Sequence, residues 1–175
     1  CPEELVKKKR ILKVIDQKIA AEVQLSQADP VLARIIERID LEPIPSTQNV
    51  FHDLMSCVVE QQIHYRSTRK WFQKTRDAAG IDELHVEWFE EYEAQGLPAV
   101  KLSARKYTTI AAVMEVWRNR EIPDFHQLSD TEFRELLHEI NGIGPWTTDM
   151  LLIYTLGRPD IFPKDDFHVR NMMVS

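Results

Sequence analysis

The chain is poor in the residues that mark several large classes of protein. Two cysteines in 175 residues, Cys1 and Cys57, are too few for a disulfide framework and stand in no metal-binding spacing. A reducing, intracellular setting is the expectation that follows. No apolar run reaches the roughly eighteen residues of a membrane-spanning helix. The opening CPEELVKKKR is charged from its start and does not read as a secretory leader. No segment of useful length alternates apolar and polar residues, so sheet is not expected. Repeats and low-complexity tracts are absent. Positive charge is not in excess: 22 Lys and Arg against 28 Asp and Glu leave a formal charge of −6. On composition alone this counts against a nucleic-acid partner. The first residue is not methionine, so the chain is expected to be a fragment or processed. Its length suits one compact domain, or two small lobes sharing a groove.

What is present is helical periodicity nearly throughout. Residues 3–26 carry an apolar stripe through Leu5, Leu12, Ile15, Ile19 and Val23. ADPVLARIIERI begins with Asp29 as N-cap and Pro30 at the first helical position. EPIPSTQN is a loop. VFHDLMSCVVEQQ and HYRSTRKWFQKTRDAAG read as two helices, the second stopped by Gly80. LSARKYTTIAAVMEVWRN has Ser103 as N-cap and an apolar face through Ile110, Val113 and Trp117. SDTEFRELLHEI opens with Ser129 and Glu132 in capping-box spacing. The fold class expected is all-α.

Charge is unevenly spread. RSTRKWFQKTR groups Arg66, Arg69, Lys70, Lys74 and Arg76, either a solvated helix face or a phosphate-facing edge. DELHVEWFEEYE, which follows, is acidic and reads as a solvated face. Trp71 and Tyr154 are expected in the core, as helical aromatic residues usually are.

Glycine is scarce, with five in the chain, yet Gly142 and Gly144 stand one residue apart in INGIGPWTTD, residues 140–149. A helix over 130–140 ends there and another starts at Pro145, running to Gly157. Glycine supplies positive φ and admits a close backbone neighbour. The first turn of the second helix offers free N–H groups to an anion. This corner is either a main-chain grip on a phosphate or an ordinary glycine-capped turn between helices. Downstream, the adjacent carboxylates Asp165 and Asp166 open the final segment. They read as helix N-caps or as a chemical pair.

Taken together, residues 48–175 resemble the helix-hairpin-helix DNA glycosylase superfamily, and within it the 3-methyladenine DNA glycosylase II branch. The resemblance rests on VVEQQIHYRS, KLSARKY, LLHEINGIGPWTTDMLL and DIFPKDDFHVR, in that order and spacing. It implies two helical lobes around a DNA-binding cleft, with residues 1–47 as accessory helices. The family continues through further helices, whereas nine residues follow Asp166 here, so the expectation is either an incomplete C-terminal portion or an N-terminal helix that substitutes for it. By position the resemblance makes Asp166 the catalytic carboxylate and gives Asp165 a capping or supporting role. Trp146 falls on an aromatic base-pocket position, and a π-face suits a cationic methylated purine. Lyase-active relatives carry a lysine where Trp146 stands, so no Schiff base is expected. Gln62, with its neighbour Gln61, falls where the family inserts a wedge into the duplex, and His64 departs from the usual serine beside it. Gly142, Ile143, Gly144 and Thr147 fall on the phosphate-binding hairpin. The main-chain carbonyls of His138, Ile140 and Ile143 fall where relatives hold a monovalent cation, Na+ or K+. No other cofactor is implied.

The resemblance therefore implies a monomeric, monofunctional hydrolase that flips alkylated purines out of double-stranded DNA and excises them. A mismatch or deaminated-base glycosylase, a non-catalytic helix-hairpin-helix DNA-binding module and a helical protein-interaction scaffold are the alternatives. The FP-to-Asp166 loop speaks against the second of these and NGIGPW against the third.

Overall fold

The computed structural model describes residues 19–39, 46–61 and 65–174, the side chains of 65–69 and 174 excepted. Within these residues every regular element is helical and no strand occurs. No helix among them is long and apolar enough to cross a membrane.

Helix α1 covers 19–28 and α2 runs Pro30–Ile36. Asp29 caps α2, its carboxylate accepting from the Val31 N–H at 2.6 Å, with Pro30 next in line. The first part of the expected helix 3–26 lies outside the described residues. Helix α3, Val50–Glu60, is buried along Val50, Phe51, Leu54, Met55, Val58 and Val59. Helix α4, Tyr65–Ala79, stops at Gly80, whose φ of +67° lets the Ile81 N–H return to the Arg76 carbonyl at 3.0 Å. The acidic stretch forms short pieces: a 3-10 turn Val86–Trp88, α5 at Phe89–Glu91, and a π-turn Tyr92–Gly96. Helix α6 is Ala104–Asn119, α7 is Asp130–His138, and α8 is Pro145–Met150, continued by a π-turn Leu151–Thr155. Helix α9, Phe167–Val174, closes the described chain. The capping box of α7 forms as its spacing indicates, with Ser129 and Glu132 each accepting from the other's backbone N–H.

One hydrophobic core joins α3, α4, α6, α7 and the Leu151–Thr155 turn around Leu54, Val113, Phe133, Leu137 and Leu152. Burying one such side chain contributes about 1.5–3 kcal/mol. Among the residues whose side chains are described, helices α1, α2 and α9 contribute none that is buried in it. The buried lobe is thus the one that carries the 140–149 corner. His52 links α3 to the loop after α4: buried, its Nδ1 accepts the Leu84 N–H at 2.8 Å. Trp71 lies half-buried against the core as expected. Tyr154 does not, being 49% exposed, because the π-turn rotates it away from the face that buries Leu151 and Leu152.

Candidate active site at the helical hairpin

Helices α7 and α8 are clamped as a pair before any ligand arrives. Arg134 on α7 forms an ion pair with Asp149 on α8, whose carboxylate is buried. One turn further on, His138 Nε2 meets Thr148 Oγ1 at 3.2 Å. The His138 side chain is thereby committed to the helix pair, and only its main chain remains for the expected cation site. Between the helices, the Ile143 N–H donates to the Ile140 carbonyl at 3.1 Å. The three candidate cation-binding oxygens, from the last residue of α7 and from Ile140 and Ile143 in the turn, are neutral, a donor set suited to a weakly demanding monovalent ion.

The two glycines of the turn differ in kind. Gly142 has φ +93°, and a Cβ there would overlap Thr109 on α6, so the glycine is required twice, by conformation and by close packing. Gly144 is extended, φ −118° and ψ −179°, and a Cβ there would meet nothing within 4 Å. The expectation that both glycines supply positive φ is corrected: only Gly142 does. Gly144 is the N-cap of α8 and brings no side-chain cap, so the first turn, begun by Pro145, leaves the Trp146 and Thr147 N–H groups without a side-chain partner from the cap. The Thr147 side chain is 2% exposed and its hydroxyl accepts from Gln61 Nε2 at 3.3 Å. Any phosphate contact by Thr147 is therefore made by its main chain.

That same bond places Gln61. It stands just beyond α3, half-buried, with its amide turned to α8. Gln62 and His64 lie outside the described residues. Lys106, within KLSARKY, caps the same end of α3 by donating to the Val59 carbonyl at 2.7 Å, with its ammonium 5.8 Å from the Trp71 ring centre. Burial lowers its pKa, against the pull of Glu60. Sequence reasoning passed over Lys106, which shows no spacing signal of its own.

In the basic stretch, Arg76 is internally engaged, donating to the Asp82 carbonyl and to Gln73 and lying over the Phe72 ring. Lys70 and Lys74 are exposed.

The loop after α8 returns Asp166 to the hairpin. Its two carboxylate oxygens have separate partners. Oδ1 accepts the N–H groups of His168 and Val169, at 2.9 and 3.0 Å, and so caps α9. Oδ2 accepts the indole N–H of Trp146 at 2.8 Å. The capping and chemical readings of this carboxylate are therefore compatible. Asp165 is exposed, and the N-cap of α9 belongs to Asp166. Partial desolvation pushes the Asp166 pKa up, but the bonds from Trp146, Val169 and His168, with the nearby His168 charge, outweigh it and hold the pKa below its ordinary value. The group is an ionised carboxylate at neutral pH. His168 is a second residue that sequence reasoning passed over. Its signal was a titratable cation two places after the candidate carboxylate, in the first turn of the same helix.

An anionic oxygen pair fixed against an aromatic ring, beside a helix start that no side chain caps, can stabilise positive charge on a neighbouring sugar or position a water. No protein-family model matches the sequence. DNA-3-methyladenine glycosylase 1 of Schizosaccharomyces pombe is 29% identical over 158 residues, which cover 86% of this chain and 69% of that protein. The alkylbase DNA glycosidase-like protein mag2 of the same organism is 27% identical over 159 residues, covering 86% and 74%. The structure of S. pombe 3-methyladenine DNA glycosylase Mag1 in complex with abasic DNA matches with a TM-score of 0.71 at 29% identity, over 87% of this chain and 77% of that one. In sequence and in fold the chain is a homologue of the 3-methyladenine DNA glycosylases.

Proposed function

We propose that the chain is a monofunctional DNA glycosylase that hydrolyses the N-glycosidic bond of alkylated purines, of the 3-methyladenine and 7-methylguanine type, in double-stranded DNA. The observation that carries this reading is the Asp166 carboxylate, held ionised against Trp146 in the first turn of the hairpin's second helix. Bond cleavage builds oxocarbenium character on the deoxyribose, and an ionised carboxylate stabilises that charge or orients the attacking water. Such a group supplies no proton to the leaving base. A methylated purine needs none, because it departs from a cationic state. Neutral lesions, uracil among them, lack that advantage.

In this reading the backbone of Gly142, Ile143, Gly144 and Thr147 approaches a DNA phosphate, and the Trp146 ring forms one wall of the base pocket. Gln62, beside Gln61, fills the space left by the flipped nucleotide. The carbonyls of His138, Ile140 and Ile143 hold a monovalent cation that steadies the hairpin. With tryptophan at the lysine position of lyase-active relatives, the chain makes no Schiff base and cuts no strand. We infer a monomer acting in the compartment that holds the DNA.

Release of free bases from methylated duplex DNA, resolved by base identity, tests the reading. Methylated purines released without strand nicking support it. Release of uracil far faster than of methylated purines supports a deaminated-base glycosylase instead, and a borohydride-trapped adduct contradicts the monofunctional assignment.

A further inference from the structure

Trp146 has a ring face and a ring N–H, and the pocket role uses only the first. The N–H donates to Asp166 Oδ2 at 2.8 Å, between α8 and the residue that caps α9, twenty positions on. The carboxylate's other oxygen is taken by the first turn of α9. The α9 bonds fix one oxygen and leave rotation about the carboxyl group to be settled by what meets the other. From α8 that partner is the uncharged indole N–H. From α9 the titratable neighbour is His168. On the preceding loop stand Asp165 and Lys164, both exposed.

We propose that Trp146 is a positioning residue for Asp166: its indole N–H, apart from any contact of its ring with the base, sets the orientation of the carboxylate that faces the sugar. The proposal rests on the glycosylase reading and adds a role to it. A tryptophan that serves only as a pocket wall is replaceable by phenylalanine at modest cost. A tryptophan that orients the carboxylate is not. The arrangement also accounts for the carboxylate's depressed pKa, since a donor on each oxygen favours the charged form.

Two substitutions separate the ring from its N–H. Trp146→Phe keeps an aromatic face. Site-specific replacement of Trp146 by β-(3-benzothienyl)alanine keeps the full ring outline and removes only the N–H, so packing is preserved if phenylalanine loosens the fold. Single-turnover base release on methylated duplex is measured across pH beside the DNA dissociation constant. The expected result for both variants is a rate lowered about 10–100-fold, affinity within a few-fold of wild type, and an acid limb displaced to higher pH. A benzothienyl variant with the wild-type rate and acid limb overturns the proposal and leaves Trp146 as a wall.

A second measurement does not depend on activity. In protein carrying 13C-labelled aspartate, free of DNA, the Asp166 carboxyl resonance is assigned by its loss in Asp166→Asn. Its titration midpoint is expected to rise in the benzothienyl variant. An unmoved midpoint overturns the proposal. Absence of base release by the wild type, with the midpoint still rising, sinks the glycosylase reading and leaves the indole–carboxylate coupling standing.

Discussion

A methyl group added at Gly142 would collide with Thr109 and force an L side chain into the left-handed region. Together these cost about 2 kcal/mol. Gly142→Ala should therefore lower the melting temperature, and Thr109→Ala in the same chain should recover part of the loss by making room. At Gly144 the backbone is extended and the space beside it open, so Gly144→Ala should change stability by less than about 0.5 kcal/mol. If a DNA phosphate approaches the Gly144 main chain, the same variant binds DNA more weakly while folding normally. Unchanged affinity in a duplex titration would remove Gly144 from the interface. The G-x-G spelling announced a tight corner, but could not tell which glycine serves the fold. That depends on Thr109, more than thirty residues upstream, which comes beneath Gly142 only when α6 packs there. The Asp165–Asp166 pair has the same character. Either aspartate can cap a helix by type, and the choice follows from where α9 begins.

Helices α7 and α8 owe their alignment to a charged contact as well as to apolar packing. Replacing Arg134 by methionine leaves the Asp149 carboxylate, 3% exposed, without its guanidinium. A loss of about 2–3 kcal/mol is expected in denaturant unfolding, with the cost of an unmatched buried charge as its source. A change below about 0.5 kcal/mol would mean that solvent reaches Asp149. Helix α3 carries a pH dependence through His52. Burial lowers its pKa below the ordinary histidine value. The unfolded chain then binds more protons between the folded pKa and about 6.5, so this contribution to stability is present above about 6.5 and fades as pH falls through the folded pKa. Thermal unfolding at about pH 5 and about pH 7.5 should show a smaller difference in His52→Gln than in wild type. At this scale much was legible. The capping box, the Asp29–Pro30 start and the Gly80 stop appear where their residues stand. The π-turns at 92–96 and 151–155 were not legible, because they arise from how a helix is accommodated against its neighbours and have no residue signature. Tyr154 was misjudged for that reason.

For the molecule as a whole, a formal charge of −6 and the proposed main-chain grip on phosphate have a joint consequence. Lys70 and Lys74 are exposed, whereas Arg76 is engaged within the protein, so among its described side chains the basic stretch offers only two exposed cations to displace counterions. The logarithm of the DNA association constant should fall with the logarithm of salt less steeply than for a strongly basic binder, a slope corresponding to a few phosphates. A slope near ten would contradict this expectation. The family resemblance survived the unfavourable charge because it rested on an ordered set of motifs. The spatial meeting of Asp166 with Trp146, by contrast, was invisible in a sequence that separates them by twenty residues. The ionised carboxylate also predicts a pH profile. Its folded pKa is depressed, so its contribution is complete above the ordinary carboxylate value of about 3.9 and is lost only as pH falls through the lower folded value. The acid limb of base release that belongs to Asp166 should accordingly lie below about pH 4.

The central claim is that Asp166 performs chemistry and does more than cap a helix. The most direct test compares wild type with Asp166→Asn in single-turnover release of methylated purines, alongside DNA affinity and helicity. Asparagine retains a side-chain oxygen able to accept the α9 N–H bonds, so the cap is largely kept. The account predicts a folded variant that binds DNA within a few-fold of wild type and releases bases at least about 100-fold more slowly. Near-normal release by a folded Asp166→Asn protein would contradict it.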